Sequence, residues 1–169
     1  MDRTTRLLSL GVAGLFSAVL TAFVLSPASP GDGGRSIEAE SYMYGLVDEA
    51  RSEQGLPTLR PADDIGEVAA TYSAQMADTR EFEHNPEHPD QICCWSKITE
   101  NIAWADPPRT RLTGDPVAVV VEELHEALLD SPGHRRNLLD PGVDEIGIGI
   151  HVDRDGSVWI TQNFRASAP

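Results

Sequence analysis

The chain has 169 residues, a formal charge of −14 at pH 7 and only two cysteines. A field of that sign repels phosphate backbones and anionic headgroups, which excludes nucleic acid as a natural partner and favours cations. Beyond the N-terminal apolar stretch about 130 residues remain, enough for one hydrophobic core and too few for two.

Arg3 and Arg6 precede an uncharged run over residues 7–25, and Ser26-Pro27-Ala28 offers small residues for cleavage. This pattern predicts an export signal over residues 1–28; left uncleaved, 7–25 is long enough to anchor the chain in a membrane. Either outcome puts the domain outside the cytoplasm, secreted or held at the cell envelope. Residues 29–35 carry no apolar anchor and read as a flexible linker, with the folded domain over 36–165 and a short tail over 166–169.

Within 37–53, Ile37, Met43 or Tyr44, Val47 and Ala50 recur at helical spacing; Gly55 ends that helix, and Leu56 and Leu59 are expected to fold back on it. Asp64 followed by Glu67 reads as a capping box for a second helix, whose buried stripe is Ile65, Val68, Ala69, Tyr72 and Met76. Residues 80–114 hold no sustained period, and a long pinned loop is expected there, with a helical turn around 99–103. Asp115-Pro116 begins a third long helix that buries Val117, Val120, Val121, Leu124 and Leu128, and Ser131-Pro132 repeats the device for a short fourth helix.

Period two then takes over. Ile146, Ile148, Ile150 and Val152 alternate with Gly147, Gly149 and His151; residues 153–157 form a hairpin loop and 158–164 return. The bare glycine face would let a helix backbone approach closely. Two strands do not make a stable sheet, so a third is expected, from the irregular region or beside the N-terminal helices. Helices packed on a small antiparallel sheet make the fold class α+β.

Cys93 and Cys94 are adjacent, so they cannot be a disulfide framework; three states remain open, namely two thiols, a vicinal bridge, or a bond to a second chain. Of the five histidines, His84 follows the end of the second helix and His134 opens the fourth. Glu100 lies between them in the chain, and two imidazoles with one carboxylate are the donor set of many open zinc sites. His88 reads as an exposed loop residue, His125 as the solvent side of the third helix, and His151 as the reserve for His84. No nucleophile motif or phosphate loop is present, and Ser131 is explained as a helix cap.

Several segments carry a family resemblance. Glu49-Ala50-Arg51 with Gly55-Leu56, Ala74-x-Met76-Ala77 and Phe82-x-His84-Asn85 resemble the first half of the SCP/CAP superfamily of secreted proteins. Glu100-Asn101-Ile102-Ala103, Ser131-Pro132-Gly133-His134-Arg135-x-Asn137-Leu138-Leu139, Ile146-Gly147-Ile148-Gly149 and Trp159-Ile160-Thr161-Gln162-x-Phe164 resemble its second half, in the bacterial branch. The resemblance spans residues 42–165 in the family's order. It implies a three-layer α-β-α sandwich and a cleft lined by His84, Glu100 and His134 that takes a divalent cation such as zinc, calcium or magnesium. Asn101, Ser131 and Asn137 are the implied neighbours of that cleft. Larger eukaryotic members add a second glutamate; its position falls on Ser131 here, and the tryptophan that precedes it on Leu128, leaving Glu122, Glu123 or Glu126 as substitutes. The glycine usual before the Glu-Asn pair is Thr99, which implies no positive φ at that point.

Two functions follow as expectations. The first is an exported, non-enzymatic monomer whose cleft binds a cation and whose tryptophans Trp95, Trp104 and Trp159 meet a lipid or another envelope component. The alternative is a metal-dependent hydrolase in which Glu100 is the only catalytic candidate. One carboxylate cannot easily be both a metal ligand and a general base, which ranks the enzyme second. A purely structural envelope domain is the third reading.

Overall fold

The computed structural model describes residues 30–106 and 115–168. The expected export signal lies outside them, as does the last residue of the tail. No helix among the described residues is long and apolar enough to cross a membrane.

The elements run α1 (Pro30–Glu53), β1 (Arg60–Pro61), α2 (Asp63–Thr79), α3 (His88–Gln91), β2 (Trp95–Ala105), α4 (Pro116–Asp130), α5 (Pro132–Leu138), β3 (Glu145–Val152) and β4 (Val158–Ser167). The sheet order is β1-β3-β4-β2: β1 is parallel to β3, and the other pairs are antiparallel. Helix α2 covers one face of this sheet, and α1 and α4 fill the other, which is the α-β-α sandwich.

Local rules explain most of the helices. In α1 the residues that go inside are Ala39, Met43, Val47 and Ala50, whereas Ile37 is 68% exposed. The stripe thus begins at Ala39, two residues after the start expected. The chain leaves α1 through Gly55 at φ 68, and Leu59 folds back into the core. Residues 30–35, expected as a linker, instead extend α1 upstream. Once a helix is nucleated, each added residue brings a hydrogen bond at little further entropic cost, so a Gly-rich flank can be drawn in.

Helix α2 corrects another expectation. Its N-cap is Ala62, with no side-chain cap, and Asp64 turns away to bind Arg165 through both carboxylate oxygens at 2.6 and 3.2 Å. A charged partner of opposite sign outweighs a backbone N–H as a destination for that carboxylate. Helix α4 starts as expected, with the Asp115 side chain accepting from Val117 N at 2.9 Å and Val117, Val120, Val121, Leu124 and Leu128 inside. Ser131 stands at the N-cap of α5, but its side chain makes no capping bond.

The largest departure is β2. The stretch expected as loop with a helical turn is an eleven-residue strand, paired along its length with β4. Thr99 lies within it in extended backbone, without positive φ. Pairing with β4 supplies hydrogen bonds that no local periodicity announces, and tertiary context overrides propensity. Both proposed sources of extra strands contribute, since β1 follows α1.

The open edge of β3 is covered by side chains from α1. Beyond the two residues of β1, Ile148 N donates to the Tyr44 hydroxyl and Ile150 N to Glu40 Oε1, each at 3.1 Å. A sheet edge left bare would invite pairing with another chain. Removing Glu40 from water raises its carboxyl pKa above the usual range.

Candidate functional site

The site forms around the free edge of β2, where groups from opposite sheet faces can meet. Glu100 and Ile102 point to the α2 side; Asn101 and Ala103 point to the side of α4 and α5, as alternation along a strand requires. Two asparagines then fasten α5 to that edge. Asn137 donates to Asn101 Oδ1 at 2.9 Å and to the Glu100 carbonyl at 3.2 Å, while Asn101 donates to the His134 carbonyl at 3.2 Å. Asn137 is one turn on from His134, so the bonds that hold the helix also set the imidazole.

The far end of α5 is held by Arg51. Its guanidinium is fully buried and donates to the carbonyls of Leu138 and Asp140 at 2.8 and 3.1 Å and to that of Pro57 at 2.9 Å. A cation at a helix C-terminus also complements the helix dipole.

His84 arrives from the segment after α2. That helix ends at Arg80, in the left-handed region at φ 59, and the chain turns across the edge of β2. Tyr72 anchors the segment by donating to the Glu83 carbonyl at 2.9 Å. His84 Nδ1 then meets Glu100 Oε1 at 2.8 Å, and Asn85 N donates to the same oxygen at 2.9 Å. The Glu100 side chain is 2% exposed, while that of His84 is 59% exposed. The carboxylate thus holds an accessible ring from behind.

The rings of His84 and His134 face each other with centroids 6.3 Å apart and planes inclined by 50°. Partial burial, with the neighbouring His84 as a second cause, pushes the His134 pKa below its ordinary value. Glu100 Oε2 is buried and has no hydrogen-bond partner.

His84, Glu100 and His134 therefore come together, with Asn101 and Asn137 beside them. They do not form a three-ligand cage: among the described residues no three His, Cys, Asp or Glu side chains are gathered so as to hold a metal. Glu100 is turned toward His84, and Glu122, Glu123 and Glu126 are exposed on α4. Ser131 makes no side-chain hydrogen bond there. A two-imidazole set is a different matter. Metal–nitrogen bonds of about 2.0–2.1 Å at a tetrahedral angle place ring centroids roughly 5 Å apart, so the two rings would have to close by about 1 Å from the 6.3 Å seen here to share one ion. With Nδ1 of His84 committed to Glu100, the other ring nitrogen is left to bind, the usual arrangement of a carboxylate-oriented ligand.

The remaining candidates sit elsewhere. His125 is 5% exposed rather than on the solvent side of its helix, and burial lowers its pKa. His88 is half-buried in α3, its Nδ1 2.8 Å from the Asn85 carbonyl oxygen. His151 lies 3.3 Å from Asp153, away from the pair. Cys93 and Cys94, both exposed, are bonded to each other, the second of the three states open to them, and Cys94 takes φ 62.

The three tryptophans do not share one surface. Trp159 is 2% exposed; Trp95 and Trp104 lie at opposite ends of β2, about 30 Å apart at strand rise. Trp104 instead stacks on Trp159 at 5.2 Å and approaches the half-exposed Phe82 at 6.4 Å, with Arg80 over Trp159 at 5.8 Å. Sequence reasoning missed Phe82 as part of this cluster, although its position two residues before His84 was a usable signal.

Known proteins are similar to this chain to differing degrees. YkwD, an uncharacterized protein of Bacillus subtilis, is 29% identical over 126 residues, which cover 74% of this chain and 46% of that protein. The chain thus spans about half the length of its curated relative. An extracellular protein of Bacillus anthracis with an SCP domain has a solved structure that matches at TM-score 0.61 and 26% identity, over 84% of this chain and 45% of that one. NaASP2, solved with Zn2+, matches at TM-score 0.59 and 14% identity over 79% and 82% of the two chains, a likeness of fold alone. The CAP family, described as the cysteine-rich secretory protein family, matches residues 44–164, and the chain belongs to that family.

Proposed function

We propose that this protein is an exported, non-enzymatic binding module in which His84 and His134 take a divalent cation, zinc before calcium or magnesium. The observation that carries the reading is the facing imidazole pair, one ring oriented by the buried Glu100 carboxylate. Imidazole nitrogens suit zinc, whereas calcium and magnesium demand oxygen ligands. The zinc in NaASP2, a protein of the same fold, supports the choice of metal. The extracellular relative in Bacillus anthracis and the apolar run at residues 7–25 support export. With two protein ligands, such a cation keeps positions open to water or to an oxygen ligand and supplies positive charge on an acidic surface. The exposed rings of Phe82 and Trp104 offer an apolar wall to any lipid or envelope component drawn there.

The hydrolase reading has Glu100 as its single candidate base, and that carboxylate already orients His84. Glu100 Oε1 already accepts from Asn85 N and meets His84, and among the described residues no second carboxylate joins the imidazoles. Calorimetric titration of the full chain with zinc tests the proposal. One ion should bind, His134→Ala should abolish binding, and Glu100→Gln should weaken it about 10–100-fold, the effect of losing a partner that orients a ligand. Absence of saturable zinc binding would overturn the reading; zinc-dependent peptide cleavage lost in Glu100→Gln would favour the enzyme instead. Because the His134 pKa is depressed, protons should compete with the metal at His134 only below the ordinary histidine value of about 6.5.

A further inference from the structure

A cavity of about 380 Å³ opens beside Asn85, between α2 and the segment that runs from Asn85 through α3. Its size lies at the small end of the range of about 300–1,000 Å³ typical of small-molecule pockets. Two rows of α2 residues, each at i, i+4 and i+8, build one wall. The first row is Asp64, Val68 and Tyr72; the second is Glu67, Thr71 and Gln75. Facing them are the side-chain amides of Asn85 and Gln91, joined by a bond from Asn85 Nδ2 to Gln91 Oε1 at 3.0 Å.

The chemistry of this lining is selective. No lysine or arginine contributes to it, so a phosphate or carboxylate finds no counter-charge. Asp64 is already neutralised by Arg165, and Tyr72 is already bonded to the Glu83 carbonyl. The side chains of Glu67, Thr71 and Gln75 make no hydrogen bond among the described residues, and they recur about every 6 Å along the helix. That row presents an acceptor, a hydroxyl and an amide in sequence, which is the mixture that adjacent sugar hydroxyls can both donate to and accept from. Val68 and the Tyr72 ring give a small apolar patch, far less than a lipid tail requires.

We propose that this cavity is a second ligand site, for a neutral polyhydroxylated molecule of one or two sugar rings. The site is separate from the imidazole pair and does not depend on a cation being bound there. Asn85 joins the two, since its side chain lines the cavity while its backbone N–H holds Glu100 Oε1.

Backbone amide NMR on the full chain, titrated with cellobiose and with diacetylchitobiose, tests the proposal. The expected result is saturable shifts at Thr71, Gln75 and Gln91 at millimolar sugar, with glucose 6-phosphate producing none. The double variant Thr71→Val, Gln75→Leu should bind at least about tenfold more weakly, the loss of two neutral hydrogen bonds. Both side chains are exposed, so its melting temperature should match the parent and show the fold intact. No saturable shift with either sugar, unchanged affinity in the double variant, or shifts centred on Phe82 and Trp104 would each overturn it.

Discussion

The two faces of the central sheet are built on opposite rules. On one, Ile146, Ile148, Ile150 and Val152 sink into a continuous apolar core with Met43 and Val47 of α1 and Val120, Val121 and Leu128 of α4. On the other, Gly147 and Gly149 present no side chain at all, and α2 lies directly on the strand. A Cβ at Gly147 would strike the backbone of Ile65 and Gly66, and one at Gly149 the backbone of Ala69 and Ala70. The first face is held by volume that side chains supply; along β3 the second is held by volume that side chains must not occupy, with Tyr72, Met76, Ile102 and Trp159 packed beside it. Even the polar contact fits the second rule: Ser73 on α2 donates to the Gly149 carbonyl at 2.8 Å, a bond available only because the two backbones are so close.

This contrast ranks substitutions. The largest loss is expected for Gly149→Ala: a single methyl group must push a helix off a strand, and the cost should exceed about 4 kcal/mol by denaturant unfolding, the range reserved for severe backbone conflict. Next comes Ile148→Ala, a truncation in the core that should cost about 2–5 kcal/mol. If Gly149→Ala proved milder than Ile148→Ala, the account of the glycine face would fail. Arg51→Met should follow, at about 1–3 kcal/mol, because it strands the buried carbonyls of Leu138 and Asp140. It should also weaken zinc binding, since α5 carries His134; unchanged affinity would show that the two asparagines alone position that ring.

The smallest effect is on pH dependence. His125, in the helix layer on the isoleucine side, and His134, at the sheet edge, both have pKa values pushed below about 6.5 by burial. The unfolded chain therefore binds these protons more readily than the folded one, so the stabilisation is complete above pH 6.5 and is lost as pH falls below it. Melting curves from pH 7.5 to 5.5 should show a decline that is shallower in His125→Gln. A slope unaltered by that change would exclude His125 as a source.

Legibility in the sequence tracked the distance over which each feature is decided. The hairpin of β3 and β4, the start of α4 at Asp115 and the exit of α1 at Gly55 follow from neighbours along the chain. The edge strand β2 was not legible, because its hydrogen bonds go to β4 some sixty residues away. The site residues were named from their places at element ends and their donor chemistry, and then from family likeness; spacing could not show that they converge, because His84, Glu100 and His134 lie on three separate segments. Nor could spacing say that Glu100 would turn to a histidine Nδ1 and leave a pair of imidazoles.

Periodicity, caps and turn chemistry thus determined an α+β chain with glycines along one strand face and a histidine at a helix start. Tertiary structure decided that a loop would be a strand, that Asp64 would choose Arg165 over its own helix, that His125 would be buried and that Cys93 and Cys94 would bond to each other. The reason is physical. Helical stripes and turns are set by torsions and contacts within a few residues, whereas a partner for a carboxylate, an edge for a strand or a neighbour for an imidazole exists only after distant segments have packed.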